Sequence, residues 1–262
     1  MNGEERSVVF DGAADFYDAT RGYPPGVEQR VAARIAEAGG LGPSARLLEV
    51  GVGTGRIALP LAVCVGEVVG LDLSMPMLRK LIGKRRSERV AVLRGDATRL
   101  PFPAASFDAV LGVHFFHLVP RWREALAEVA RVLRPGARLL LGADDPNDAW
   151  ASIRDESEAI ARVEHVGVPR GRFFDFPLDE GWRSAGEPLR VTFTRRLQPR
   201  VYLDRIEQRI WSHTWRMSDA EIARAVAALR PQLVAHFGDL DAEVEVPGGF
   251  SVQGWVAPPR RQ

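Results

Sequence analysis

The sequence LLEVGVGTGR at residues 47–56 decides the fold class of this chain. Its first four residues form a largely apolar run, which is typical of a parallel strand buried on both faces. The three glycines that follow lack a Cβ atom, so the backbone can turn sharply and approach a ligand closely. We expect a helix over about residues 54–65, with its free N–H groups and positive dipole end facing the turn. The stretch therefore predicts a strand–turn–helix unit that binds a nucleotide.

The spacing of the glycines narrows the class of nucleotide. A dinucleotide-binding loop has the pattern G-x-G-x-x-G, with its third glycine where the helix meets the strand. Here Arg56 occupies that position and the glycines run G-x-G-x-G. Asp72 ends the next apolar run, at residues 67–72, and a carboxylate there can accept hydrogen bonds from both hydroxyls of a ribose. A nicotinamide oxidoreductase is weakened by this pattern but stays open as an alternative.

The first 145 residues alternate between short apolar runs and helical patterns. The predicted strands lie at residues 47–50, 67–72, 90–93, 107–113 and 138–142, and the predicted helices at about 25–38, 54–65, 74–83 and 120–133. This rhythm predicts a parallel, doubly wound sheet with right-handed crossovers. Ligands of such sheets bind at the carboxyl ends of the strands. The residues expected to share that pocket are Gly51, Asp72, Asp96 and His114.

The pattern changes after residue 145. Residues 149–166 look helical, and residues 189–197 alternate between apolar and polar side chains, as an antiparallel strand does. Helices are expected over about 201–212 and 218–237, the second opened by a capping box of Ser218 and Glu221. Residues 242–256 alternate again, with an interruption at 247–249.

Four motifs follow one another, at residues 49–55 (EVGVGTG), 70–74 (GLDLS), 95–97 (GDA) and 133–136 (LRPG). Over about residues 10–145 the chain resembles the class I S-adenosylmethionine-dependent methyltransferases. The most similar group acts on small molecules and includes the ubiquinone/menaquinone-biosynthesis type. This resemblance implies an α/β, Rossmann-like fold with a mostly parallel seven-stranded sheet and a helical insertion before the last strand. It implies an N-terminal arm and helix over the cofactor at 1–40, a core at 41–198 and 238–262, and a substrate-side insertion at 199–237.

The same resemblance implies S-adenosyl-L-methionine as cofactor and S-adenosyl-L-homocysteine as product. The residues implied to bind it are Tyr17, Tyr23, Glu49, Gly51, Gly53, Gly55, Asp72, Leu73, Asp96, Ala97 and His114. The glycine loop, anchored by Glu49, would admit the methionine portion, with the backbone of His114 beside its amino group. Asp72 would take the ribose hydroxyls, while Leu73, Asp96 and Ala97 would contact the adenine. As alternatives, Asp72 and Asp96 are ordinary turn carboxylates, and Tyr17 and Tyr23 anchor the arm to the core.

The candidate catalytic residues are two histidines in VHFFHL, residues 113–118, where the resembled family faces its substrate. His117 or His114 is a candidate base, because imidazole titrates near neutrality, and His117 is preferred since His114 would act through its backbone. A histidine that only bonds backbone in a loop is the competing interpretation. Asp144 and Asp145 lack a third ligand and precede a proline, so a turn is favoured and no metal is predicted.

Composition restricts the partners. A net charge of +1 does not produce the broad positive field expected of a protein that binds nucleic acid. The sequence lacks a run of about 18 apolar residues, so we expect no membrane insertion. Cys64 is the only cysteine, which suits a reducing compartment, and we expect a cytoplasmic protein whose oligomeric state the sequence leaves open. The leading hypothesis is a methyltransferase that acts on an O, N or C atom of a small, partly apolar metabolite. The alternative is a catalytically silent protein of the same fold that only binds S-adenosylmethionine.

Overall fold

The computed structural model describes residues 7–145, 155, 156, 159 and 166–259. The helix expected over residues 149–166 lies almost entirely outside the described residues. The chain divides into two compact units. The first unit comprises Met1–Ala143, His165–Val191 and Phe250–Gln262, and the second comprises Asp144–Glu164 and Thr192–Gly249.

The described residues form one sheet of eight strands. The strands are β1 (Arg46–Val50), β2 (Glu67–Asp72), β3 (Val90–Arg94), β4 (Phe107–Val113), β5 (Leu133–Asp145), β6 (Arg183–Ser184), β7 (Leu189–Leu197) and β8 (Val244–Val256). Their order is β3-β2-β1-β4-β5-β8-β6, and β7 also pairs with β8. The pairs β1–β2, β1–β4, β2–β3 and β4–β5 are parallel, whereas β6 runs antiparallel to β8. The predicted mostly parallel, doubly wound class is confirmed; the eighth strand, β6, has two residues and is too short to leave an alternating pattern.

The sheet centre is apolar because its strands are covered on both faces. Leu47, Leu48 and Val50 of β1 are fully buried, and the apolar core of the first unit includes Phe107 of β4. The parallel register places Val50 beside Leu71 of β2 and Gly112 of β4. The carboxyl ends of these three strands therefore meet at one edge of the sheet, as the sequence predicted.

The helices of the first unit flank these strands. They are α1 (Tyr17–Arg21), α2 (Val27–Gly39), α3 (Ala58–Leu61), α4 (Met75–Lys84), α5 (Trp122–Val132) and α6 (Phe176–Asp179). Ser74 caps α4 as predicted, since its Oγ accepts a hydrogen bond from the Met77 N–H. β5 begins earlier than residue 138, because Leu133 pairs with Phe107 across an irregularity in the ladder.

The helix predicted over residues 54–65 was wrong in length. Only Ala58–Leu61 forms an α-helix, and the bonds after it, from the Val63 and Cys64 N–H groups to the carbonyls of Pro60 and Leu61, span three residues instead of four. Pro60 has no N–H group to donate to the Arg56 carbonyl, and proline is tolerated in the first turn of a helix. The proline therefore agrees with a helix that starts at Ala58 instead of residue 54.

The second unit has a helical core of its own. Its helices are α7 (Arg200–Glu207) and α8 (Asp219–Phe237), and α8 opens with the predicted capping box between Ser218 and Glu221. α7 ends at Glu207, earlier than predicted, because Arg209 adopts a left-handed conformation with φ of 54°. The interruption predicted at residues 247–249 was also wrong, since β8 runs through it. A Cβ on Gly248 would lie 2.5 Å from the ring of Phe193, so the missing side chain makes room for that ring.

Candidate functional site

The glycine loop after β1 is built around positive φ angles. Gly51 and Gly53 have φ values of 72° and 54°, which side chains rarely tolerate. A Cβ on Gly51 would also lie 2.5 Å from Cδ2 of Phe115, whereas the nearest atom to a Cβ on Gly53 is the Met77 methyl group at 3.6 Å. Gly55 has a φ of 77° and packs against Leu81 of α4. The first glycine therefore makes close packing against Phe115 possible, whereas a side-chain carbon at the second would meet only an ordinary contact with Met77.

Four N–H groups of this loop already have acceptors within the protein. Gly51 and Val52 donate to the carbonyl of Leu71, at 2.8 and 3.1 Å, and Gly53 donates to Oδ2 of Asp72 at 2.8 Å. Gly55 donates to the carbonyl of Val52 at 3.0 Å. The expectation that the free N–H groups at the start of the helix face a ligand stays a prediction. A phosphate-binding loop needs its N–H donors to be available, so the engagement of these four disfavours a pyrophosphate ligand.

Asp72 stands at the end of β2 and organises the loop. Its Oδ2 accepts the Gly53 N–H and its Oδ1 accepts the Ser74 N–H, both at 2.8 Å. Burial raises the pKa of this carboxyl, against the lowering effect of these backbone hydrogen bonds and with a smaller raising effect from Asp11. The Leu73 N–H adds a third backbone hydrogen bond, and a carboxylate has about four acceptor positions, so Asp72 retains capacity for a hydroxyl donor.

Glu49 is the most deeply buried acid at this edge of the sheet. The residue is 2% exposed, and its Oε2 accepts no hydrogen bond from any described residue. Burial raises the pKa of its carboxyl to about 8, and the charge of Asp72 adds to that increase while Arg56 opposes it. Glu49 therefore carries a proton at neutral pH when no ligand is bound.

Arg56 is a site residue whose role the sequence did not indicate. Its guanidinium donates to the carbonyl of Arg21 at 2.9 Å and lies 4.5 Å from the centroid of the Tyr23 ring. Tyr23 also meets Phe250 edge to face. Arginine at the third-glycine position thus connects the loop to the segment before α2, through a hydrogen bond and a cation–π contact.

Three aspartates fix the preceding segment, residues 8–23, which we call the arm. Asp11 accepts from the Ser74 hydroxyl at 2.6 Å, and Asp15 lies 2.8 Å from Nζ of Lys80. Asp18 accepts from the hydroxyl of Thr54 in the glycine loop and from Nζ of Lys84 at 2.7 Å. Tyr17 lies on α1 and contacts Phe10 edge to face. The sequence feature that could have predicted these contacts is the spacing of the three aspartates, at positions 11, 15 and 18.

The end of β3 holds the predicted adenine-binding residues. Asp96 Oδ1 accepts from the Thr98 N–H at 2.8 Å, and its Oδ2 lies 3.7 Å from Arg121. Ala97 is buried. Leu73 follows Asp72, and its carbonyl accepts from Arg94 at 3.1 Å. Asp96 has the geometry of a turn carboxylate, and its role toward a ligand stays a prediction.

The two candidate catalytic histidines follow β4. His114 has a φ of 49° and donates its N–H to the carbonyl of Gly142 at 3.0 Å. Its ring centroid lies 6.4 Å from that of His117, and Phe173 lies 6.3 and 6.1 Å from the two rings. Both imidazoles therefore lie near the ring of Phe173. The sequence analysis did not include Phe173 among the site residues. Their catalytic role stays a prediction.

The described residues contain neither a metal-binding cluster nor a helix that could span a membrane. Between residues 7 and 259, apart from the undescribed positions, no group of three or more His, Cys, Asp or Glu side chains is placed to hold a metal ion. In the same part of the chain, no helix combines the length and apolar character needed to span a bilayer.

Comparison with known proteins gives a family match for part of the chain. Residues 48–141 match the family described as "Methyltransferase domain". The chain is 38% identical over 139 residues to the demethylmenaquinone methyltransferase of Renibacterium salmoninarum, a match that covers 53% of this chain and 58% of the relative. It is also 38% identical over 140 residues to the nocamycin O-methyltransferase of Saccharothrix syringae, which covers 50% of this chain and 48% of that protein. The chain thus spans about half the length of these relatives.

A solved structure extends the likeness to most of the fold. An N-methyltransferase of Haemonchus contortus, solved with phosphomonomethylethanolamine and S-adenosylhomocysteine, superposes with a TM-score of 0.55 at 20% identity. The superposition covers 95% of this chain and 58% of that one. At this identity the likeness concerns the fold. Residues 48–141 therefore match the methyltransferase-domain family, and the chain has the fold of the class I methyltransferases.

Proposed function

We propose that this protein is an S-adenosylmethionine-dependent methyltransferase that acts on an O, N or C atom of a small, partly apolar metabolite. The observation that carries the proposal is the glycine loop. The N–H groups of Gly51, Val52, Gly53 and Gly55 donate to protein acceptors, and the loop is bordered by the buried Glu49 and the half-buried Asp72. Such a site suits a nucleoside with positive charge and no phosphate. S-adenosylmethionine has that chemistry, and NADH does not.

The residues present fit this cofactor in two respects. The buried Oε2 of Glu49 lacks a donor among the described residues, and no protein atom lies closer than 3.6 Å to the place of a Cβ on Gly53. Asp72 would hold the ribose hydroxyls through its remaining acceptor capacity, and Asp96, Leu73 and Ala97 would border the adenine. When bound, the cofactor supplies a methyl group on a positively charged sulfonium.

The chain's own contribution to transfer would be orientation and exclusion of water. An in-line displacement needs the acceptor atom held about 3 to 3.5 Å from the methyl carbon, with solvent removed. Phe115 packs on the glycine loop and Phe173 beside both imidazoles, so the pocket wall is apolar. His117 would accept a proton from an acceptor that carries one, with His114 as the second candidate.

The named relatives support the reaction class and leave the acceptor open. One is named for demethylmenaquinone and the other for O-methylation of nocamycin, which are different acceptors. The near-neutral net charge supports a small molecule over nucleic acid as substrate. The division into an N-terminal arm and helix at 1–40, a core at 41–198 and 238–262, and a substrate-side insertion at 199–237 is part of this proposal. Helices α7 and α8 fall within that insertion.

Calorimetric titration tests the proposal. We expect S-adenosylmethionine and S-adenosylhomocysteine to bind the wild-type protein and NADH not to bind. Asp72→Ala should weaken binding by about 1 to 3 kcal/mol, the cost of losing charged hydrogen bonds to the ribose. Asp239→Ala, which removes an exposed carboxylate from the second unit, is the matched control and should bind as wild type does.

The outcomes separate the competing functions. Binding of NADH but of neither S-adenosyl compound would refute the proposal in favour of an oxidoreductase. Binding of S-adenosylmethionine without formation of S-adenosylhomocysteine, across a panel of phenols, amines and activated carbon acids, would favour the catalytically silent alternative.

A further inference from the structure

Residues 79–94 concentrate positive charge on one part of the first unit. They contain seven Arg or Lys side chains and one acid, Glu88, whereas the whole chain has a net charge of +1. Two of the cations, Lys80 and Lys84, form ion pairs with aspartates of the arm. The other five are exposed arginines, so this stretch carries positive charge that its own acid does not balance.

Four of these arginines lie close together along the chain. They are Arg79 on α4 and, in the turn between α4 and β3, Arg85, Arg86 and Arg89. Among the residues that the structure describes, no carboxylate forms a salt bridge with Arg79, Arg86 or Arg89. The acid of the turn, Glu88, accepts a hydrogen bond from the Arg86 N–H at 2.6 Å. These three guanidinium groups are therefore available to an anion from outside the chain.

The arginines of the turn lie at the edge of the sheet opposite to the glycine loop. The parallel register places Val68, near the start of β2, beside Val90, and the Val68 N–H donates to the carbonyl of Arg89 at 2.9 Å. Helices α3 and α4 lead into these two strands. Because β1, β2 and β3 follow one another in one direction across the sheet, right-handed crossovers place both helices on the same face. The carboxyl ends of α3 and α4 therefore meet at the amino edge of the sheet.

Two apolar side chains are exposed beside these arginines. Val63 follows α3 and is 83% exposed, and Ile82 lies in the last turn of α4 and is 44% exposed. Ile82 comes three residues after Arg79, a spacing that places the two side chains on one face of the helix. We use the name basic edge for the surface formed by Arg79, Arg85, Arg86, Arg89, Val63 and Ile82.

We propose that the basic edge binds the surface of a bilayer that contains anionic phospholipids. Arginine pairs with phosphate through charge-assisted hydrogen bonds, and apolar side chains next to it can enter the boundary between head groups and acyl chains. Nucleic acid presents phosphates as well, but its backbone gives Val63 and Ile82 no apolar surroundings. The two exposed apolar side chains therefore favour lipid. This binding goes beyond the function proposed above and does not depend on it.

Flotation with vesicles tests the proposal on the wild-type protein. We expect binding to phosphatidylcholine vesicles that contain about 30 mol% phosphatidylglycerol, and no binding to vesicles of phosphatidylcholine alone. Because the arginines supply the attraction, affinity should fall about tenfold or more when salt is raised from about 0.05 M to about 0.5 M. Duplex DNA at an equal concentration of phosphate should displace little of the protein.

Two variants separate the charged from the apolar contribution. Arg79→Gln/Arg86→Gln/Arg89→Gln removes three cations, each of which contributes about fivefold near an anionic surface, so affinity for the anionic vesicles should fall about a hundredfold. Val63→Ser/Ile82→Ser should lower this affinity about tenfold, because less apolar area enters the bilayer.

The matched control replaces three exposed arginines outside the basic edge. Arg183→Gln/Arg216→Gln/Arg224→Gln lowers the net charge of the chain by the same amount as the first variant and should bind vesicles as wild type does. Urea unfolding of each variant separates a loss of binding from a loss of structure.

Three results would overturn the inference. Equal binding to both kinds of vesicle, or binding to neither, would show that the basic edge does not recognise anionic lipid. An equal loss of affinity in the control variant would assign the attraction to net charge instead of this surface. Displacement by duplex DNA at equal phosphate would identify the surface as one for nucleic acid. Each of these results leaves the proposed function standing, because the glycine loop lies at the other edge of the sheet.

Discussion

Replacement of Gly51 by alanine should destabilise the protein more than the same change at Gly53. Both residues have positive φ, 72° and 54°, so each alanine pays a conformational cost of about 1 to 2 kcal/mol. At Gly51 the new Cβ would also lie 2.5 Å from Cδ2 of the Phe115 ring. Such overpacking costs about 1 to 3 kcal/mol more. At Gly53 the nearest atom is 3.6 Å away, an ordinary contact.

Urea unfolding followed by circular dichroism measures both free energies of unfolding. We expect Gly51→Ala to lose about 2 to 5 kcal/mol and Gly53→Ala about 1 to 2 kcal/mol. The double variant Gly51→Ala/Phe115→Ala should lose less than the sum of the two single changes, because removal of the ring removes the clash. Equal destabilisation by the two alanines, or additivity in the double variant, would refute the packing explanation.

Two further predictions concern stability. In the unfolded chain the Glu49 carboxyl has its ordinary pKa near 4.5, and in the folded protein about 8, so the folded state binds more protons between these values. The contribution of Glu49 to stability is therefore fully present below about pH 4.5 and falls by about 1.4 kcal/mol per pH unit as pH rises towards 8. Glu49→Gln should flatten this part of the stability profile in urea unfolding at a series of pH values, and an unchanged slope would contradict the buried-carboxyl interpretation. Ser218→Ala should cost about 1 kcal/mol by removing the α8 capping box, measured in the same assay, and no loss would show that this cap does not stabilise the helix.

The parallel core was predictable because its signals are local and repeated. β2 and β4 were placed to the residue, since continuous apolar runs bounded by polar turns have few other interpretations. The Ser218–Glu221 capping box was predictable for the same reason, because its chemistry lies within four residues. The errors came from effects that periodicity does not register. Pro60 lies in the first turn of α3, which starts later than predicted. Arg209 adopts a left-handed conformation just after α7, and Gly248 admits the Phe193 ring where β8 continues.

The candidate site was predictable in position and less so in detail. Strand order brings Gly51, Asp72 and His114 to one edge, and the motif spacing was sufficient to infer that. The contacts of Arg56 and Phe173 were not predictable, because they join segments far apart in sequence. The acceptors to which the loop N–H groups donate depend on the turn geometry, and a pattern of residues does not determine that geometry.

The arm has a kinetic consequence that follows from how it is attached. Its contacts are spread along its length, from the Val8 N–H on the carbonyl of Leu118, through Asp11 and Asp18, to the Arg21 carbonyl under Arg56. They are polar and partly exposed, so each one is weak and can break while the others hold. Such a segment can lose one contact while the others stay in place. The arm contacts the loops that follow β1, β2 and β4, so its detachment would loosen all three parts of the site.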